Sequence, residues 1–365
     1  MTSYDLIVVG AGIVGAACAE YASAEGLRVA VVEPGTIGGG ATAAAMGHLV
    51  AMDDHPDEFA LSTYSLALWE RFADLPQAEF SRCGTLWVAS TDDELARIPG
   101  KVARLAAGGV QAALIDAAEL YEREPALAPG LAGGMRVATE AVVFPPAVAR
   151  HLIDDALRRG ARLHVQSVLR VERGGVTLRD GSRLHGPVLV ATGGYLPRLL
   201  PDLPVRGRKG HLVITDRYPA IVHHQLLEMG YADSAHGADA SSVAFNVQPR
   251  PTGQILIGSS REYDAHDGDV SMPMVRRMLE RSFRFLPGLR DLNAIRVWTG
   301  FRPVTPDGLP YLGRVPGMRD TWVAAGHEGL GVTTSLGSAR VVVDQILGRV
   351  PAIDARAFDP ARAFA

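Results

Sequence analysis

Residues Tyr4 to Val9 form a short β-rich apolar run, followed by Gly10-Ala11-Gly12-Ile13-Val14-Gly15 and by small residues from Ala16 to Ala24. That order predicts a strand, a glycine turn and a helix. A second apolar run, Arg28 to Val32, predicts a strand ending at Glu33. Much later, Val188-Leu189-Val190 runs into Ala191-Thr192-Gly193-Gly194, and Leu163 to Val171 reads as one strand. Near the end, Gly326-His327-Glu328-Gly329-Leu330-Gly331 precedes a predicted helix from Val332 to Leu347, whose residues Val332, Leu336, Ala339, Val343 and Ile346 share one face. The intervening blocks carry strand-like runs at Gly84 to Ser90, His211 to Thr215, Val243 to Val247, Gln254 to Ser259 and Ile295 to Thr299. Helical runs at about Phe59 to Phe72 and Val275 to Phe285 accompany them. One domain is therefore expected to be discontinuous, built from residues 1–50, 145–202 and 300–350. A second, from 51–144 and 203–299, is expected to hold an antiparallel sheet with helices on one face. Residues 351–365 read as a loosely held tail.

Composition narrows the class. Of 365 residues, 47% are hydrophobic and 21% charged, enough to bury a large core and too apolar for a disordered chain. Forty glycines exceed the roughly 7% of ordinary use, with no collagen-like period, so they serve turns and close backbone approaches. A formal charge of -4 offers no basic surface for nucleic acid. Two cysteines, Cys18 and Cys83, support neither a disulfide framework nor a cysteine zinc site, and the histidines lack metal-ligand spacing. No metal is expected. No apolar run approaches a membrane span and no signal peptide is read, so a cytoplasmic protein is expected.

The first strand, turn, helix, second strand and acid fall in the register of a dinucleotide site. Gly10, Gly12 and Gly15 let amides at the helix start, including those of Ile13 and Val14, approach a pyrophosphate, and Glu33 can accept ribose hydroxyls. The plainer alternative is a glycine turn with Glu33 merely solvated. A dinucleotide domain for NAD would continue with alternating strands and helices, but Gly38 to Gly47 reads GGGATAAAMG, a loop of very small residues.

With these residues in view, the chain resembles, almost end to end, the D-amino-acid oxidase family of FAD enzymes. The resemblance lies in the branch of glycine oxidase, sarcosine oxidase and the bacterial D-amino-acid and D-hydroxyproline dehydrogenases. Gly10, Gly12, Gly15 and Glu33 match the family's dinucleotide fingerprint; Ala41-Thr42 and Met46-Gly47 match its loop along the pyrophosphate and flavin. Val168 matches the position whose backbone meets the adenine, and Ala191-Thr192-Gly193 matches an "ATG" strand end. The stretch from Gly300 to Pro310, followed by Gly326 to Thr333, is the most specific. The resemblance implies an α/β fold in which a discontinuous Rossmann-like FAD-binding domain is interleaved with an α+β substrate domain, and non-covalent FAD. It also implies a small amino or imino acid as substrate, and an acceptor that is oxygen, a quinone or a partner protein; some relatives are electron-carrying subunits. Oligomerisation and association with the inner membrane face are compatible with it. The chain departs from the family at Pro34, after Glu33, and in lacking an arginine at Ala43 to Met46, so less positive charge surrounds the pyrophosphate.

Such a reaction needs a carboxylate clamp and charge stabilisation beside the flavin. The family's carboxylate-binding arginine falls on Arg302, whose guanidinium matches a carboxylate in the plane; the alternative is a surface arginine paired with Asp307. Gly326, Gly329, Leu330 and Gly331, with Val332 and Thr333 opening the helix, can turn amides and a helix N-terminus toward the flavin. His327 either meets substrate or flavin edge or bonds backbone. His48 either faces the flavin and substrate, as dehydrogenases of the branch place a histidine, or satisfies a loop carbonyl. Where relatives carry a carboxylate-binding tyrosine, this chain has Phe245 and Asn246, so Asn246, Tyr231 or Tyr64 is left to make that contact. The runs Ala45 to Asp54 and Cys83 to Trp87 look most like cis-4-hydroxy-D-proline dehydrogenases.

Overall fold

The computed structural model describes residues 3–231, 241–263, 265 and 267–364. It has a mixed α/β fold. One sheet of six strands runs in the order Tyr311–Arg314, Thr321–Ala325, Val188–Val190, Leu6–Val9, Val29–Val32 and Arg162–His164. Its neighbours are parallel except the first pair. Leu6–Val9, Val29–Val32 and Val188–Val190 are buried throughout, as strands covered on both faces must be. One cover is the helix Ile13–Ala24. Its alanines 16, 17, 19 and 22 are all buried, and their small size lets it lie against the helices Pro145–Arg158 and Gly331–Ile346. Val9 is in register with both Val32 and Val190, so Gly10, Glu33 and Ala191 leave the sheet side by side. These are the carboxyl ends, where open α/β sheets receive ligands.

The second large sheet has eight strands, ordered Ala294–Val304, Arg206–Thr215, Ile255–Glu262, Ser241–Pro249, Gln225–Glu228, Thr85–Ala89, Gly133–Val137 and Ala112–Asp116. The expected antiparallel arrangement needs one amendment: Gln225–Glu228 and Thr85–Ala89 pair in parallel. Along Ser241–Pro249, Phe245 and Val247 enter a core closed by the helix Met272–Phe285, with the Phe245 and Phe285 rings stacked at 4.3 Å. Because side chains alternate across a strand, Asn246 and Gln248 face the other way. Gln248 Nε2 donates to the Met46 carbonyl at 2.8 Å, so this second face lies against the loop at residues 46–48. Met46, Leu212 and Leu256 form a small apolar cluster there.

Three expectations are corrected. Leu163 to Val171 is two strands: Arg162–His164 belongs to the six-stranded sheet and Val168–Glu172 to a three-stranded one, with exposed Val165 between them. Arg302 lies within the strand Ala294–Val304 rather than beyond its end. The tail is not loose: Phe358 is fully buried, and Arg362 donates to the Leu309 carbonyl at 2.6 Å and pairs with Asp307. Among the described residues, no helix is long and apolar enough to cross a membrane.

Candidate active site

The nucleotide turn is built by backbone. Gly10 has φ +106°, and a Cβ there would stand 2.5 Å from the Ala191 carbonyl oxygen; a Cβ on Gly15 would collide with the Gly10 carbonyl. Only glycine allows strand, turn and helix to approach so closely. Glu33 follows its strand directly and accepts from the Ala11 amide through Oε2 and from the Gly35 amide through Oε1, both at 2.9 Å. That places its carboxylate across the turn, with lone pairs left for hydroxyls. Ala41 starts a one-turn helix, and the buried Thr42 within it accepts from the Ile13 amide at 3.0 Å. Half-buried Val14 packs on the core beside it. At the Ala191-Thr192-Gly193 strand end, Thr192 Oγ1 is buried without a hydrogen-bond partner. Val168 begins the small sheet and packs on the core behind the first strand. The Ile13 amide, expected to face a pyrophosphate, is thus taken by Thr42, but a glycine cradle that a Cβ would fill, a helix start and an orphaned hydroxyl fit a dinucleotide such as FAD.

A second group gathers where the two large sheets meet. Gly47 has φ +91°, and a Cβ there would strike the Val143 carbonyl. His48 follows in a short strand paired with Val142, and its carbonyl accepts from Thr333 Oγ1 at 2.9 Å. The same hydroxyl takes the Val50 amide at 3.3 Å, and the Thr333 carbonyl takes Trp69 Nε1 at 2.9 Å. The opening of the helix Gly331–Ile346 is thus pinned to the Met46-Gly47-His48 loop. The loop before it is fixed too: the Glu328 amide donates to the Pro303 carbonyl at 2.9 Å, and the Leu330 amide to the His327 carbonyl at 3.0 Å. Gly326 abuts Thr305, Gly329 lies beside the Arg302 side chain, and Val332 is buried in the core. His327 turns its ring to Ser338 Oγ at 3.0 Å and is 3% exposed, so it ties this loop to its helix. Burial pushes the His327 ring down to about 4.

His48 presents Nε2 buried and without a hydrogen-bond partner. Burial, then the nearby Arg302 cation, bring its ring down to about 4, so it is neutral at pH 7. Arg302 donates to the Ser260 carbonyl from Nη1 at 3.1 Å. Loss of water and the cation of Arg261, opposed by Tyr231 and joined by Arg208, lower it to about 9. It remains charged at neutral pH. Its alternative partner, Asp307, is taken by Arg362. Asn246 is 2% exposed with Oδ1 unpartnered, on the strand face that Gln248 turns to Met46.

Arg261 and Arg208 went unread in the sequence, whereas Tyr231 was among its candidates. Arg261 donates from Nη2 to the Tyr231 hydroxyl at 2.9 Å, and its guanidinium lies 4.8 Å from that ring's centre. Arg208 bonds the Tyr263 hydroxyl at 2.8 Å and pairs with Glu328. Burial would raise the Tyr231 hydroxyl, but Arg261 and Arg302 overcome it and bring it down to about 8. Tyr231 therefore belongs to the Arg302 side of the molecule, whereas Tyr64 feels Arg340 and Asp344. The polar run Ser259-Ser260-Arg261-Glu262, extending an apolar strand, was the available signal.

Comparison with known proteins agrees. The DAO family model, FAD dependent oxidoreductase, matches residues 5–345. A glycine oxidase of Pseudomonas aeruginosa is 29% identical, covering 98% of this chain and 99% of its own. A D-amino acid dehydrogenase of Cereibacter sphaeroides is 31% identical over 74% of this chain and 62% of its own. The crystal structure of glycine oxidase from Geobacillus kaustophilus superimposes with a TM-score of 0.88 at 27% identity, covering 99% of each chain. The chain belongs to the DAO family of FAD-dependent oxidoreductases, and FAD is its cofactor.

Proposed function

We propose that the protein dehydrogenates a small amino or imino acid, cis-4-hydroxy-D-proline or D-proline, at the carbon bearing nitrogen. Residues 1–50, 145–202 and 300–350 hold non-covalent FAD, and 51–144 with 203–299 supply the substrate face. Bound FAD supplies the two-electron acceptor, taking a hydride from that carbon. The observation that carries the reading is Arg302: a charged guanidinium beside Gly329 and His48, with a backbone carbonyl but no carboxylate as hydrogen-bond or ion-pair partner among the described residues. A substrate carboxylate supplies the missing anion.

The remaining groups suit the amine end. Asn246 Oδ1 is a buried acceptor in need of a donor, and a substrate N–H is one. The neutral His48 ring is a weak base, so its part is to position a neutral amine by a hydrogen bond while the ammonium proton leaves to solvent. His327 keeps the glycine loop in place. The product carries a C=N bond, as a cyclic imine or one that hydrolyses. We place the protein in the cytoplasm, free or at the inner membrane face, with oxygen, a quinone or a partner protein as acceptor.

A second reading, a glycine- or sarcosine-type oxidase producing hydrogen peroxide, is favoured by the full-length similarity to glycine oxidase. Anaerobic mixing with D-proline, cis-4-hydroxy-D-proline, glycine and sarcosine, followed by flavin absorbance, separates them. Bleaching by the cyclic substrates supports the first reading and bleaching by glycine or sarcosine alone the second. If none bleaches the flavin, the amino-acid reading fails.

A further inference from the structure

One carboxylate answers Arg302, but the same region buries a second guanidinium. Arg261 is 4% exposed and spends Nη2 on the Tyr231 hydroxyl and one face on its ring. Its Nε and Nη1 are buried with no partner. It lies within electrostatic reach of Arg302, and Tyr231 feels both cations. Burying a guanidinium with unused donors is unfavourable unless something completes it, and bringing two such cations together adds repulsion.

Arg208, also buried, differs from Arg261 in having a carboxylate beside it. It is 3% exposed, yet it has the Tyr263 hydroxyl and a carboxylate, Glu328. Among the described residues Arg261 has no carboxylate partner. An arginine left with two donors beside the substrate's carboxylate anchor is built for an oxygen that arrives from outside.

We propose that Arg261 is a specificity-determining residue that binds a second oxygen acceptor of the substrate, a hydroxyl or carboxylate remote from the carboxylate held by Arg302. This rests on the reading of Arg302 above and deepens it: in cis-4-hydroxy-D-proline the group is the ring hydroxyl. The site therefore ranks acceptor-bearing substrates above their plain counterparts.

The test is titration of the FAD-loaded protein with butyrate, 4-hydroxybutyrate and succinate, followed by perturbation of the flavin spectrum. All three carry a carboxylate on a four-carbon chain and none has an amine to oxidise. The wild type is expected to bind 4-hydroxybutyrate and succinate roughly tenfold or more tighter than butyrate, succinate most tightly because its second group is charged. In Arg261→Met these ratios collapse toward one, as does the kcat/KM ratio of cis-4-hydroxy-D-proline to D-proline. Equal binding of the three ligands by the wild type overturns the proposal, and so does a preference that survives Arg261→Met. Should that variant not take up FAD, Arg261→Lys, which keeps the charge and loses the planar donors, is expected to shrink the ratios, and unchanged ratios count against the proposal. If butyrate binds without preference, Arg261 alone is misassigned. If no carboxylate perturbs the flavin, the reading of Arg302 falls with it.

Discussion

The six-stranded and eight-stranded sheets meet at one site but are furnished differently. At the carboxyl ends of the parallel sheet the functional surface is main chain: Gly10, Gly15, the start of the helix Ile13–Ala24 and the Ala191 strand end, with Glu33 folded over them. On the eight-stranded sheet it is side chain: Asn246, Arg261 and Arg302 project from three different strands, each buried or half-buried, and Asn246 and Arg261 keep unpartnered polar atoms. The first surface suits a cofactor common to a whole family, because amides and a helix start recognise phosphate without reference to what else the molecule does. The second suits the part that varies, since one substitution on a rigid strand changes which substrate is completed.

Breaking the first surface is expected to have the largest effect. Gly15→Ala drives a methyl into the Gly10 carbonyl, so the purified variant is expected to carry little or no FAD by absorbance. Arg302→Met spares that turn and removes the carboxylate anchor; kcat/KM is expected to fall roughly 100- to 1000-fold while FAD content stays near wild type. Asn246→Leu deletes one neutral hydrogen bond and should cost roughly five- to tenfold in kcat/KM.

Titration sharpens the contrast further. Tyr231 loses its proton through about 8, adding an anion at the carboxylate seat, while Arg302 keeps its charge. The expected result is an affinity for butyrate, which carries the carboxylate but no amine, that declines as pH rises through about 8, with no inflection from His48 near its ordinary 6.5. A smaller effect concerns Glu140, which accepts the Ala51 amide at 2.8 Å and is pushed by burial from 4.5 to about 7. The folded state holds a proton that the unfolded chain releases near 4.5, so this stabilisation is present at acid pH and is lost as pH rises from 4.5 to 7. Melting curves at pH 5 and pH 8 should therefore differ less for Glu140→Gln than for the wild type, by a few degrees.

Legibility in the sequence follows the same division. The nucleotide turn is local: its strand, glycines, helix and acid lie within Tyr4 to Glu33, and each is announced by residue type. Arg302 could be placed by resemblance, but its freedom from Asp307 could not, because the competitor Arg362 sits in a tail that reads as loose. Arg261 was missed because the apolar run of its strand stops near Ser259. Pairing with Ser241 and Ser242 carries the strand on through Arg261 and Glu262, and pairing across a sheet is a long-range property with no local mark. The break at Val165 was hidden for the opposite reason, an apolar residue at an exposed turn keeping the run continuous.

The central claim is that Arg302 receives the acid group of a substrate placed beside FAD. Its most direct test is anaerobic single-turnover reduction of the flavin by cis-4-hydroxy-D-proline in the wild type and in Arg302→Met, at matched FAD content and substrate below saturation. The account predicts bleaching of the wild type and a reduction rate at least roughly 100-fold lower in the variant. Equal rates in the two proteins would contradict it.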